Sequence, residues 1–178
     1  MKNNGFKKKT YKELLEQIKL KRSTKFAQAK PTKLNKAKKK VKKARLPSIS
    51  KLKKQLWEVI KVYVRERDQS ICWTSGVKVE GSNRHVGHGI PSSVGGGLLR
   101  WHPLNLHVQS YVENIHHSGN GGVYYRNCVA KYGQDKMDKV YELKNHTVQI
   151  DRYFLNTLID LYKQGNEEEI IKFLESYI

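Results

Sequence analysis

From Lys51 onward, Leu52, Leu56, Ile60 and Tyr63/Val64 recur at the spacing of one helical face, and Trp57 and Val59 widen it. Pro47 breaks the chain just before, and Ser48 or Ser50 is suited to cap the start, so the pattern predicts a helix over 50–67. Over 68–103 the helical period disappears. Residues 71–76 read as a short strand and turn, and Val77-Lys78-Val79-Glu80 alternates before the turn signal Gly81-Ser82-Asn83. A strand ending near His88 is followed by the Gly-rich stretch 92–97, where backbone can approach a ligand closely. That stretch lacks the Gly-Lys-Ser/Thr of a nucleotide-binding P-loop. Residues 98–101 and 106–108 also read as short strands. Beyond them the pattern is helical: a start at 111–117 broken by 118–122, then 123–132 stopped by Gly133, then 134–143. Thr147 is placed to cap a helix over 148–164 closed by Gly165. Asn166 is placed to cap a last one, whose first residues Glu167, Glu168 and Glu169 favour its N-terminal dipole.

Charge divides this chain of 178 residues in two. Residues 1–54 carry 21 Lys and Arg against two acids (Glu13 and Glu16), and the remainder carries 14 of each sign, so the net +19 lies wholly in the N-terminal part. Residues 1–47 are therefore expected to form a largely disordered or extended arm, with one amphipathic helix over 11–20, and residues 48–178 the folded domain. Lys38, Lys39, Lys40, Lys42, Lys43 and Arg45 form its densest run. Such a run suits a polyanion: cations that neutralise phosphates release condensed counterions and give tight, salt-sensitive binding. DNA is thus the expected partner; an anionic membrane suits less well, because aromatic anchors are few. No apolar run approaches the ~20 residues of a membrane span, and no apolar signal core follows the Lys-rich start, so a cytoplasmic protein is expected. Two cysteines, Cys72 and Cys128, make neither a disulfide framework nor a four-thiolate zinc site.

Six of the seven histidines fall within 33 residues: His85, His88, His102, His107, His116 and His117. A single histidine is more often a packing or surface residue than a ligand. Six together, mixed with Asn105, Asn114 and Glu113, suit a divalent metal beside a neutral imidazole that takes a proton from water. These residues favour a metal-assisted hydrolase without naming its reaction.

The layout of histidine, loop, asparagine and helix resembles an HNH, or ββα-metal, nuclease, and more closely the phage NinG (Rap) recombination-endonuclease family. The resemblance rests on Tyr63-Val64-Arg65-Glu66-Arg67-Asp68, Ile71-Cys72-x-x-Ser75-Gly76 and His85-x-Gly87-His88. It continues through Leu99-Arg100-Trp101-x-x-x-Asn105-x-His107-x-Gln109-Ser110, Asn114-x-His116-x-Ser118-Gly119-Asn120 and Tyr125-Arg126. It covers about residues 50–163. It implies an α+β fold: a small ββα-metal (HNH-like) centre embedded in helices, with the basic N-terminal arm attached. The family's two Cys-x-x-Cys knuckles correspond here to Cys72 with Ser75 and to Ser110 with Glu113. One thiol does not make a tetrahedral thiolate site, so no structural zinc is expected, and Trp73 and Tyr111 are candidate fillers of the knuckle.

The resemblance also implies roles. His88 is the expected general base, an imidazole poised near neutral pH. Many HNH proteins have a metal-binding Asp or His just before that base; here the position is Gly87, and His85 becomes a candidate ligand. Asn114 is the expected metal ligand at a helix start, joined by His116 or His117, which sequence does not separate. Asn105 is expected to brace the loop and orient the base, and Arg100 to contact the scissile phosphate or leaving oxygen, a surface salt bridge being the plainer alternative. The implied reaction is hydrolysis of a DNA phosphodiester with Mg²⁺ or Mn²⁺, Zn²⁺ or Ni²⁺ staying open. The implied substrate is a branched recombination intermediate of the junction or flap type in a phage-infected bacterium, and two cuts across a junction favour a homodimer. The competing readings are a nicking or packaging nuclease and a non-catalytic DNA-binding protein on a degenerate HNH scaffold.

Overall fold

The computed structural model describes Glu16, residues 46–94 and residues 97–178. The rest of the expected arm, with its helix over 11–20 and its lysine run, lies outside the described residues. Residues from Pro47 to Ile178 form one unit with a continuous apolar core.

The long first helix, α1 (Ile49–Arg67), begins where the sequence predicts, because Ser48 accepts a hydrogen bond from the Lys51 N–H at 3.2 Å. Its buried stripe is Leu52, Leu56, Ile60 and Val64. Two four-residue strands follow, β1 (His85–His88) and β2 (Leu106–Gln109), paired antiparallel with Gly87 opposite His107 and His88 opposite Leu106. The remaining helices are α2 (Gly121–Tyr132), α3 (Gln134–Glu142), α4 (Arg152–Gln164) and α5 (Glu167–Glu175). The molecule is thus α+β, mainly helical around one two-stranded sheet. The stripe of α1 packs mainly on α4, whose buried face is Phe154, Leu155, Leu158, Ile159 and Tyr162. Each such side chain removed from water contributes about 1.5–3 kcal/mol. This packing fixes one wall of the sheet, since α1 also touches both strands.

Several elements differ from expectation. Leu99–Trp101 is a 3₁₀ turn, because Trp101 and His102 close bonds to carbonyls three residues back instead of pairing laterally. Val77–Glu80 contributes only a single bridge, Ile71 with Lys78. The helix expected over 111–117 is a π-helical turn, Val112–His116, closed by His117 N donating to Val112 O. The helix expected from 148 starts at Arg152, because Asp151, rather than Thr147, caps it by accepting from Phe154 N at 2.8 Å.

Among the described residues no helix is long and apolar enough to cross a membrane.

Candidate active site

His88 ends β1, where the chain leaves the sheet. Its Nε2 lies 3.2 Å from the Arg100 carbonyl oxygen, which can only accept, so Nε2 carries the proton and Nδ1 keeps the lone pair. Among the described residues no group bonds to that Nδ1. The Trp57 indole of α1 stacks on the ring, centroids 5.5 Å apart and planes 9° from parallel. Burial lowers the His88 pKa, the Arg100 carbonyl opposes the shift, and the Arg100 guanidinium adds to it. The imidazole is therefore neutral at neutral pH, with one oriented basic nitrogen.

Three residues from His88, the His85 Nδ1 lies 3.2 Å from the Asn114 carboxamide nitrogen, so the expected ligand pair does meet. Beneath them lies a residue that sequence reading missed. Gln109 is fully buried, and its Nε2 donates to Gly119 O at 2.7 Å. That bond fixes the amide orientation and leaves Oε1 buried with no partner. This oxygen fills the space a side chain at residue 87 would need: a Cβ on Gly87 would overlap Gln109 Oε1 and stand 3.0 Å from Asn114 Oδ1. Two carboxamide oxygens thus converge on the spot where residue 87 has no side chain. In the sequence Gln109 is marked by its alternation with Asn105 and His107 within the stretch that resembles the family, with no role attached.

Asn105 takes the bracing role expected of it. Its Oδ1 accepts from Ile90 N at 2.7 Å, and its Nδ2 donates to Ile90 O at 3.0 Å and Leu99 O at 3.1 Å. The buried amide ties both ends of the loop between β1 and the 3₁₀ turn, and so sets the Arg100 carbonyl that orients His88. From α2, Tyr124 donates to Asn105 O at 3.1 Å, its ring lying flush against Gly89. Arg100 itself is exposed, its guanidinium 5.1 Å from the Trp101 ring centre. His116 is exposed on the π-turn; its ring meets Tyr111, which also meets His85, so Tyr111 stands between the two imidazoles. His117 pairs with Glu113 at 3.1 Å. Lys38, Lys39, Lys40, Lys42, Lys43 and Arg45 lie outside the described residues.

His107 lies on the same face of the sheet as Gln109 and His85, opposite to that of His88, and belongs to a buried charged network. Its Nδ1 lies 3.0 Å from Asp68 Oδ2 and 2.8 Å from Arg67 Nη2, and its ring stacks on Trp73 at 3.6 Å. Burial would raise the Asp68 pKa, but bonds from His107 and Arg67 outweigh it and hold the carboxyl well below the usual range. This network pins the end of α1 to β2. At the knuckle, burial would raise the Cys72 thiol, but bonds from Ser75, Ser110 and Thr74 bring it down to about 7. Trp73 fills the space as expected, whereas Tyr111 is 45% exposed. Among the described residues no three His, Cys, Asp or Glu side chains are grouped to hold a metal.

The fold and site define an α+β protein with an oriented neutral imidazole on a small hairpin. The family described as Bacteriophage Lambda NinG protein matches residues 3–170, and the chain belongs to that family. No curated protein and no solved structure matches it.

Proposed function

We propose that the chain is a metal-dependent DNA endonuclease of the HNH (ββα-metal) kind, acting in phage recombination, a setting that membership of the NinG family suggests. The observation that carries this reading is the His88 tautomer: the Arg100 carbonyl holds the proton on Nε2 and leaves Nδ1 basic and unbonded. Nδ1 takes a proton from water; the water oxygen forms a bond to phosphorus, and the P–O3′ bond breaks. Trp57 holds the ring plane, and Asn105 holds the loop that supplies the Arg100 carbonyl.

The residues fit a divalent cation. The unpartnered Gln109 Oε1 and the Asn114 Oδ1 beside it are the groups that would hold it, and His85 would join through Nδ1 on giving up the bond it accepts from Asn114 Nδ2. Mg²⁺ or Mn²⁺ there supplies charge stabilisation for the phosphate. The donor set is neutral, so DNA would supply the anionic ligand and tighten cation binding. Four-way or flapped DNA as substrate, and a homodimer to cut it, belong to the same proposal. One observation favours the second reading, a DNA-binding protein without chemistry: no carboxylate stands among the three donors.

Nicking of supercoiled plasmid in Mg²⁺, Mn²⁺ or EDTA tests the reading. The wild type should nick with metal only, and His88→Ala should lose activity on the order of a hundred- to ten-thousand-fold while still binding DNA. A fully active His88→Ala protein would remove His88 from the mechanism.

A further inference from the structure

Outside the hairpin, on the α1 side of His85 and Asn114, lies a pocket of about 370 Å³. Lys61 and Arg65 of α1 reach it from one wall, and Ser82 and Arg84 from the turn before β1. No carboxylate lines it. Glu58 pairs with the Lys61 ammonium at 2.7 Å, its own side chain 70% exposed. Arg65 donates to the Arg84 carbonyl through Nε at 3.1 Å and Nη2 at 2.6 Å, so one guanidinium braces the backbone that carries the next. The Arg84 Nε is buried and has no hydrogen-bond partner. Three cations and a hydroxyl around one cavity form an anion seat, and a guanidinium fork suits phosphate in particular.

We infer that this pocket seats a phosphodiester of the DNA backbone, gripped by Lys61 and Arg84, and so presents the strand to His85 and Asn114. The occupant rests on the proposed reading, but the seat does not rest on its chemistry. Trp57 joins the two regions, since it lines the pocket and also stacks on His88. The residues of the seat belong to the folded domain and are not those of the lysine run. Charge selects its occupant: three cations and no carboxylate line the pocket, and a polyanion is the ligand whose affinity such charge raises.

The test is fluorescence anisotropy of a labelled duplex with the full chain in EDTA, where no cleavage intervenes, over a range of salt. Lys61→Gln with Arg84→Gln should weaken binding about ten-fold or more at 0.1 M salt and lower the log–log salt slope by about one for each phosphate no longer neutralised. Lys163→Gln, which removes an exposed cation paired with Asp160 on α4, should change neither. Thermal melting reports folding, and Lys61→Gln alone replaces the pair if the double variant does not fold. Unchanged affinity and slope would overturn the seat, whether or not the protein cuts DNA. Weakened binding in the variants of a protein that cuts DNA in neither Mg²⁺ nor Mn²⁺ would keep the seat and overturn the nuclease reading. Inorganic phosphate and a thymidine dinucleotide serve as competitors. If either is bound tightly in a Lys61- and Arg84-dependent way while duplex affinity stays unmoved in the variants, the occupant is a small phosphate and the inference fails.

Discussion

Two glycines next to His88 are there for space. At Gly89 a Cβ would press into the Tyr124 ring, which is buried and bonded to the Asn105 carbonyl. Gly89→Ala should cost about 1–3 kcal/mol by overpacking, read as a lower midpoint in urea with the slope kept; an unchanged midpoint would show that Tyr124 can move. At Gly87 the missing side chain is replaced by the Gln109 carboxamide from the facing strand. Asn105 matters through three backbone bonds. Asn105→Ala strands Ile90 N, Ile90 O and Leu99 O in a buried loop, a loss of about 2–4 kcal/mol. Asn105→Asp keeps the acceptor for Ile90 N but sets its second oxygen against the Ile90 and Leu99 carbonyls, so it should not recover that stability at neutral pH; full recovery would show that the two donated bonds carry none of it. His102 gives a pH signature. Burial, helped by Lys136, pushes its pKa down from 6.5 to about 3, so the unfolded chain binds the proton first. Stability should therefore fall as pH drops from about 6.5 towards 3, with Asp68 adding to the fall below the ordinary carboxylate range. A melting temperature flat from pH 7 to 4 in the wild type, or a slope undiminished in His102→Asn, would contradict this.

At the scale of elements, periodicity identifies the long helices and fails where structure is short. The α1 stripe and its Ser48 cap follow from spacing alone, because one helix buries one face on one neighbour. The β-hairpin is legible at β2 and at the end of β1, but residues 98–101 read wrongly as a strand. An apolar run of four residues is equally compatible with a strand and a 3₁₀ turn, and only the Trp101 and Leu99 burial decides it. The π-turn at Val112–His116 has no periodic signature; it arises where Ser118, Gly119 and Asn120 all take left-handed backbone and return the chain to Gln109. In the site, His88, His85, Asn105 and Asn114 are readable from their spacing and resemblance. Gln109 is not, because its meaning depends on what stands opposite: an amide that only a glycine on the neighbouring strand leaves room for. Arg65 and Arg84 are unreadable for a similar reason, since α1 and the turn before β1 meet only through tertiary packing.

At the scale of the whole molecule, the folded part from residue 55 onward is electrically balanced, and the excess charge belongs to the N-terminal segment. On the proposed reading its role is affinity for DNA, and that of the hairpin is position. Removing residues 1–47 should weaken DNA binding and flatten its salt dependence without changing the metal requirement of any cleavage; an unchanged salt slope would show that the arm does not bind phosphate. The central claim is that His88 and a cation cut branched DNA. Its most direct measurement is cleavage of a labelled four-way junction beside matching linear duplex, in Mg²⁺, Mn²⁺ or EDTA, by the wild type and His88→Ala. The account predicts metal-dependent cutting that favours the junction and is lost in the variant. Tight binding with no cutting under either metal would contradict it and leave a DNA-binding protein on a retired site.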